Sequence, residues 1–170
     1  MFIDSDILAL KDLNTYFKEL NEYENIDILH VYKEKDDLSE HLSKFWSMHK
    51  YTEEDMAFFS KNQVYPFNAG CFAFKVNNNM KQHFTNIIQM INVSLEKGDL
   101  FFYEQAFMNV YFNTRNLVDY KIINKDNYVM FPDVNRLYPN TLIHFCGFPG
   151  NGVKKFNAMT DYISSFKLLE

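Results

Sequence analysis

From Met80 to Leu95 the apolar residues Met80, Phe84, Ile87, Ile88, Ile91 and Leu95 follow a 3.6-residue period. That spacing predicts an amphipathic helix with one face to bury, and Gly98 stands where such a helix closes. The apolar run Phe72–Val76 predicts a strand, approached through the turn-rich Tyr65-Pro66-Phe67-Asn68-Ala69-Gly70. The alternation recurs along the chain. Met1-Phe2-Ile3 predicts a strand ending in the polar turn Asp4-Ser5-Asp6. Leu13, Tyr16, Phe17 and Leu20 predict a helix, with Asp12 or Asn14 near its start. Strands are predicted at Ile26–Val31, Tyr120–Ile123 and Leu142–Phe145, and helices at Gln105–Phe112 and Val153–Leu168. The segment from Lys33 to Thr52 is charged and mixed, with helical character around Leu38–Met48. No repeat or linker composition interrupts the pattern, so residues 1–170 read as a single α/β domain.

A chain of 170 residues can bury a core of its own. Its formal net charge of −5 argues against nucleic acid as the main partner, because neutralising phosphates takes a Lys/Arg surplus. Cys71 and Cys146 are too few for a disulfide framework, and their apolar surroundings suit buried free thiols. No apolar run is long enough to span a bilayer, and a cytoplasmic location is the expectation. Aromatic residues reach 18%. They serve either as core packing or as platforms for the apolar faces of sugar rings.

Four constellations carry chemistry. At a strand end, residues i and i+2 point to the same side, so Asp4 and Asp6 aim two carboxylates at one point. They repel there unless a cation sits between them, and oxygen donors of this kind suit Mg²⁺ or Mn²⁺. In Phe67-Asn68-Ala69-Gly70, glycine lets the backbone approach a ligand and asparagine both donates and accepts; a plain turn explains the same residues. Glu104-Gln105 opens a helix, either as a reactive acid–amide pair or as ordinary acidic capping. Ile143-His144-Phe145-Cys146-Gly147 leads into a Gly/Pro loop and then Lys154-Lys155. Neutral imidazole can ligate Mn²⁺ there, backbone N–H groups can face phosphates, and lysine can meet a diphosphate; a structural histidine is the alternative.

A strand followed by D-x-D also suits a phosphohydrolase of the haloacid dehalogenase type. Ile7-Leu8 departs from that pattern, and the only acidic clusters to close such a site are Asp36-Asp37 and Glu53-Glu54-Asp55.

The order of the four motifs resembles glycosyltransferase family 8 and related retaining enzymes of the GT-A fold. An apolar strand and D-x-D come first, then F-N-A-G, an acid–Gln pair opening a helix, and I-H-x-x-G followed by lysine. The resemblance covers essentially the whole chain. It implies a partial GT-A fold, a mixed sheet flanked by helices, with the amino-terminal nucleotide-binding half missing. It implies that Asp4, Asp6 and His144 hold Mn²⁺ or Mg²⁺. Asn68, Ala69, Gly70 and the Glu104-Gln105 pair would face the donor sugar, with Glu104 and Gln105 in the catalytic role. Gly147 and either Lys154 or Lys155 would meet the diphosphate. The implied reaction is hexose transfer from a nucleotide-diphosphate sugar to a carbohydrate or glycoprotein acceptor; the alternative is a non-catalytic carbohydrate-binding or interaction module of the same fold. Two departures stand out: Glu104 replaces the usual Asp, and the interval from Gly147 to the lysines is stretched and lacks Pro-Trp.

On this resemblance Met1–Asp4 is an inner strand of a parallel sheet in the complete fold, left unpaired on one side here. The isolated chain is expected to bind nucleotide sugars weakly or not at all, and to be marginally stable or self-associating. Calorimetric titration with nucleotide sugars and Mn²⁺, alongside sedimentation, checks this; micromolar binding by a monomer would refute it.

Overall fold

The computed structural model describes residues 1–34, 53–62, 65–97, 103–133, 135–139, 141–147 and 152–167. Strands β1 (Phe2–Ile3) and β2 (Ile7–Ala9) precede helix α1 (Asn14–Glu22) and strand β3 (Leu29–Lys33). Helix α2 (Glu53–Asn62), strand β4 (Phe67–Ala73) and helices α3 (Asn78–Glu96) and α4 (Tyr103–Thr114) follow. Strands β5 (Val118–Asp119), β6 (Tyr128–Met130) and β7 (Leu142–His144) then lead to helix α5 (Gly152–Lys167). The chain is mixed α/β, as its sequence predicts.

Two sheets form, ordered β1-β4-β3-β5 and β2-β7-β6. In the first, β1 and β3 flank β4 antiparallel, while β3 and β5 run parallel. In the second, β2 is antiparallel and β6 parallel to β7. The D-x-D turn is the crossing between the sheets, because β1 belongs to the first and β2 to the second.

β4 is the strand on which the core turns. Its partners on β3 jump from Val31↔Phe72 to Tyr32↔Asn68, so residues 69 to 71 bulge where β3 has no intervening residue. A bulge reverses which face successive side chains take. Phe67 and Ala69 accordingly join Phe72 in a cluster with Met80, Ile87, Met108 and Phe112 of α3 and α4. Cys71 and Ala73 face the other way, toward Ile7, Tyr16, Leu20, Tyr128 and Leu142. A third cluster packs Ile143 and Phe145 against Tyr162 of α5. Among the described aromatic residues Phe67, Phe72, Phe112, Tyr128, Phe145 and Tyr162 are buried, whereas Phe2, Phe17, Phe131 and Phe156 are exposed.

Local chemistry sets the helix starts. Asn77 caps α3 by accepting the Met80 N–H at 2.8 Å, and Met80, Ile87 and Ser94 then line its buried face. Asp12 accepts the Asn14 N–H at 3.0 Å ahead of α1, whose Tyr16 and Leu20 are buried.

Several expectations need correction. The stretch Phe67–Gly70 is strand rather than turn, because the β3 ladder continues through Asn68 and Phe67. The predicted strand at Tyr120–Ile123 is replaced by two-residue β5, and residues 121–123 form bends. There Ile122 and Ile123 are buried through core packing without ladder pairing. The strand predicted at Ile26–Val31 lies later, at Leu29–Lys33. Where β1 pairs, it pairs antiparallel, at one end of its sheet's order. Of the expected buried thiols Cys71 is buried and Cys146 half-buried; both are free, and burial raises each to a pKa of about 12. The expected helical stretch Leu38–Met48, the pair Asp36-Asp37 and the helix stop at Gly98 lie outside the described residues.

A polar knot joins α1 to the sheet. Asp119 accepts the Tyr23 hydroxyl at 2.5 Å and lies 3.5 Å from Nδ1 of buried His30. The bond to Asp119, then burial, raises the Tyr23 phenol to about 12. Burial depresses the His30 imidazole despite the opposing pull of Asp119. The unfolded chain therefore takes up a proton at higher pH than the folded one. This contribution to stability is complete above the ordinary histidine range and is lost as pH falls through the folded value. The melting temperature should drop between pH 7 and pH 5, and the drop should be smaller in His30→Gln; identical pH profiles would refute the assignment.

Candidate functional site

The two aspartates are held by different sheets. The β1–β4 ladder continues one step past Ile3, with the Asp4 N–H donating to the Gly70 carbonyl at 2.7 Å. The β2–β7 ladder likewise extends one step before Ile7, with the Phe145 N–H donating to the Asp6 carbonyl at 2.9 Å. Asp4 is therefore fixed beside the F-N-A-G segment and Asp6 beside the His144 strand. One ligand atom each from Asp4, Asp6 and His144 lies within 4.8 Å of the others. Asp4 is exposed, Asp6 half-buried and His144 buried, so the cluster opens on its Asp4 side.

His144 is set from three directions. Nε2 lies 3.0 Å from Asp6 Oδ1, and Nδ1 is hydrogen-bonded to the Tyr128 hydroxyl. Tyr128 sits opposite Leu142 on the parallel strand, two residues from His144, so the contact is a diagonal pair across one face. The third constraint is Gly70. A Cβ there would lie 2.7 Å from His144 Cε1 and 2.8 Å from Asn68 Oδ1. The close approach that this glycine permits is thus to the imidazole ring. Burial pushes His144 below the ordinary imidazole range, against the pull of Asp6 and Asp4. The ring is neutral near pH 7, the form that binds metal.

The amide residues brace the bulge. Asn68 Oδ1 accepts the Gly70 N–H at 2.8 Å, closing a turn within the strand. Gln105 Oε1 accepts the Ala69 N–H at 3.0 Å. One helical turn on, Asn109 accepts the Phe67 N–H and donates to its carbonyl, both at 2.9 Å. Side-chain amides of α4 thus satisfy β4 backbone groups beyond the reach of short β1.

The structure draws Asp4, Asp6, His144, Lys155, Gly70 and Asn68 together, with Gln105 joined to them through Ala69. Lys155 of α5 places Nζ 2.7 Å from Asp6 Oδ2, so the lysine expected at a diphosphate meets a carboxylate instead. Lys154 and Glu104 are exposed, Glu104 in the first turn of α4. Gly147 adopts φ +61°, and a Cβ there would lie 2.9 Å from the Phe131 ring. Residues 148–151 of the Gly/Pro loop lie outside the described residues. Glu53 and Glu54, weighed for a phosphohydrolase site, are exposed at the start of α2. Sequence reasoning missed Tyr128 and Asn109. Asn109 carried a usable signal, its i+4 spacing from Gln105, whereas nothing local marks Tyr128.

Whether these residues suit a divalent cation can be judged from Asp6. Its Oδ1 is buried and takes no hydrogen bond, although Nε2 is 3.0 Å away. A buried carboxylate oxygen left in this way is costly unless positive charge meets it. Two carboxylates and a neutral imidazole form an oxygen-rich, borderline donor set that fits Mn²⁺ or Mg²⁺.

No protein-family profile, curated protein or solved structure matches the chain.

Substituting Gly70→Ala should force the His144 ring or Asn68 to move. We expect a loss of about 1–3 kcal/mol in stability by chemical denaturation, together with weaker Mn²⁺ binding by titration calorimetry. Unchanged stability and binding would show that the ring has room to shift.

Proposed function

We propose that this chain carries the metal and donor-sugar side of a glycosyltransferase of partial GT-A type, acting on a nucleotide-diphosphate hexose. The observation that carries the reading is the convergence of Asp4, Asp6 and His144 beside Gly70 and Asn68. Further support comes from motif order, since D-x-D, F-N-A-G, the acid–Gln pair and I-H-x-x-G follow one another as in family 8 enzymes. Departure of a nucleoside diphosphate builds negative charge on phosphate oxygens, and a bound divalent cation supplies the charge that stabilises it.

The chain's own residues have separate tasks in this account. Asp4 and Asp6 present the oxygen ligands from two sheets, and His144 adds a neutral nitrogen ligand. Asn68 and Gln105 orient the hexose near its anomeric carbon, where an acceptor hydroxyl attacks; the resemblance favours retention of configuration. Glu104, in the first turn of α4, lies next to Gln105 and supplies the acid of the pair. Lys155 balances Asp6 and, with a cation held at the aspartates, would be free to meet the diphosphate. No described helix is long and apolar enough to cross a membrane. A cytoplasmic enzyme with a carbohydrate or glycoprotein acceptor is the setting we propose.

The same 2.7 Å Lys155–Asp6 pair favours a second reading, in which the cluster is a charge-balanced structural knot in a non-catalytic carbohydrate-binding module. Titration with Mn²⁺ separates the two. Under the enzyme reading the protein binds Mn²⁺, Asp6→Asn and His144→Ala abolish binding, and Lys155→Gln strengthens it. Gln105→Glu keeps an oxygen for the Ala69 N–H but should cut hexose transfer more than stability. Sugar binding indifferent to Mn²⁺ and to Asp6→Asn would support the module and refute the enzyme.

A further inference from the structure

We infer that Tyr128 is a positioning residue for His144: its hydroxyl accepts the Nδ1–H and so holds the ring in the tautomer whose Nε2 lone pair faces Asp4 and Asp6. This rests on the metal-site reading above and adds to it a residue that lies outside the ligand set.

A neutral imidazole carries a single N–H, which sits on Nδ1 or on Nε2. With the proton on Nε2, the ring turns that donor toward Asp6 Oδ1 at 3.0 Å, and no lone pair is left there for a cation. With the proton on Nδ1, the donor meets the Tyr128 hydroxyl, which is hydrogen-bonded to that nitrogen. Nε2 then turns a lone pair toward two carboxylates, an arrangement that is repulsive alone and cohesive around a cation. A cation on Nε2 would also draw density from the ring, strengthening the Nδ1–H as a donor.

Tyr128 is placed to hold this geometry. The residue is 1% exposed and packs in the cluster with Ile7, Cys71 and Leu142. Its ring lies 4.6 Å from that of Tyr32, centroid to centroid. A phenol hydroxyl can both accept and donate, so it can meet either tautomer of the ring. The direction of that one O–H bond follows the tautomer: it points at Nδ1 when the ring proton is on Nε2 and away from it when the proton is on Nδ1, which leaves Nε2 free for a cation.

Two measurements test the assignment. Mn²⁺ titration of the wild type and Tyr128→Phe should show affinity falling by about 10–100-fold in the variant, the effect typical of losing a partner behind a metal-bound histidine. A packing role would lower the melting temperature and leave the affinity unchanged. Because Tyr128→Phe could fail to fold, the second measurement uses the wild type alone. Long-range ¹H–¹⁵N spectra of the His144 ring, recorded as Mg²⁺ is added, should show the proton on Nδ1 in the bound state. A proton on Nε2 in that state, or equal Mn²⁺ affinities, would overturn the role of Tyr128 while leaving the metal site standing. A wild type that binds neither cation would remove the metal-site reading itself, and this inference with it.

Discussion

The turn Asp4-Ser5-Asp6 is where the two sheets of this protein are joined, and the rest of the site depends on that joint. Asp4 ends a ladder on β4, and Asp6 begins one on β7. Neither aspartate can move without breaking a backbone bond in its own sheet. Two carboxylates are thereby held near one point, where they would repel each other. The surroundings answer with Lys155 on one oxygen of Asp6 and a neutral imidazole beside the other. That arrangement offsets part of the repulsion and leaves a buried oxygen without a hydrogen bond.

The bulge in β4 is the second structural commitment. It turns Phe67 and Ala69 toward the helices and Cys71 and Ala73 toward the other sheet, so one strand contributes to two cores. It also leaves backbone groups of Phe67 and Ala69 facing α4, where Asn109 and Gln105 satisfy them. Gly70 lies within the bulge because the His144 ring occupies the space a side chain would take. Fold and site therefore share residues, and a change at Gly70 or Gln105 acts on both.

Depth divides the site's tasks. His144 and Tyr128 are buried, which favours the uncharged ring and the protonated phenol. Asp4 is exposed and Asp6 half-buried, so the charged ligands sit nearer solvent than the neutral one. Lys155, joined to Asp6 from α5, ties the last helix to the first turn of the chain.

Mixed α/β character and the long helices were legible along the chain, because periodic apolar residues such as Met80, Phe84 and Ile87 report a local geometry. The sequence also singled out Asp4, Asp6 and His144, although the two aspartates read as one strand end and lie instead in the turn between strands of different sheets. That these segments meet came from folding, because the meeting depends on ladder register between distant parts of the chain. Register likewise made Phe67–Gly70 a bulged strand, although its Pro, Asn and Gly read as a turn. The isoleucines at 122 and 123 were drawn into the core without joining a ladder, which apolar character alone does not distinguish from a strand. Tyr128 was illegible for the same reason. Nothing near it in the chain marks it, and it reaches His144 only through a diagonal across two parallel strands, a relation created by folding.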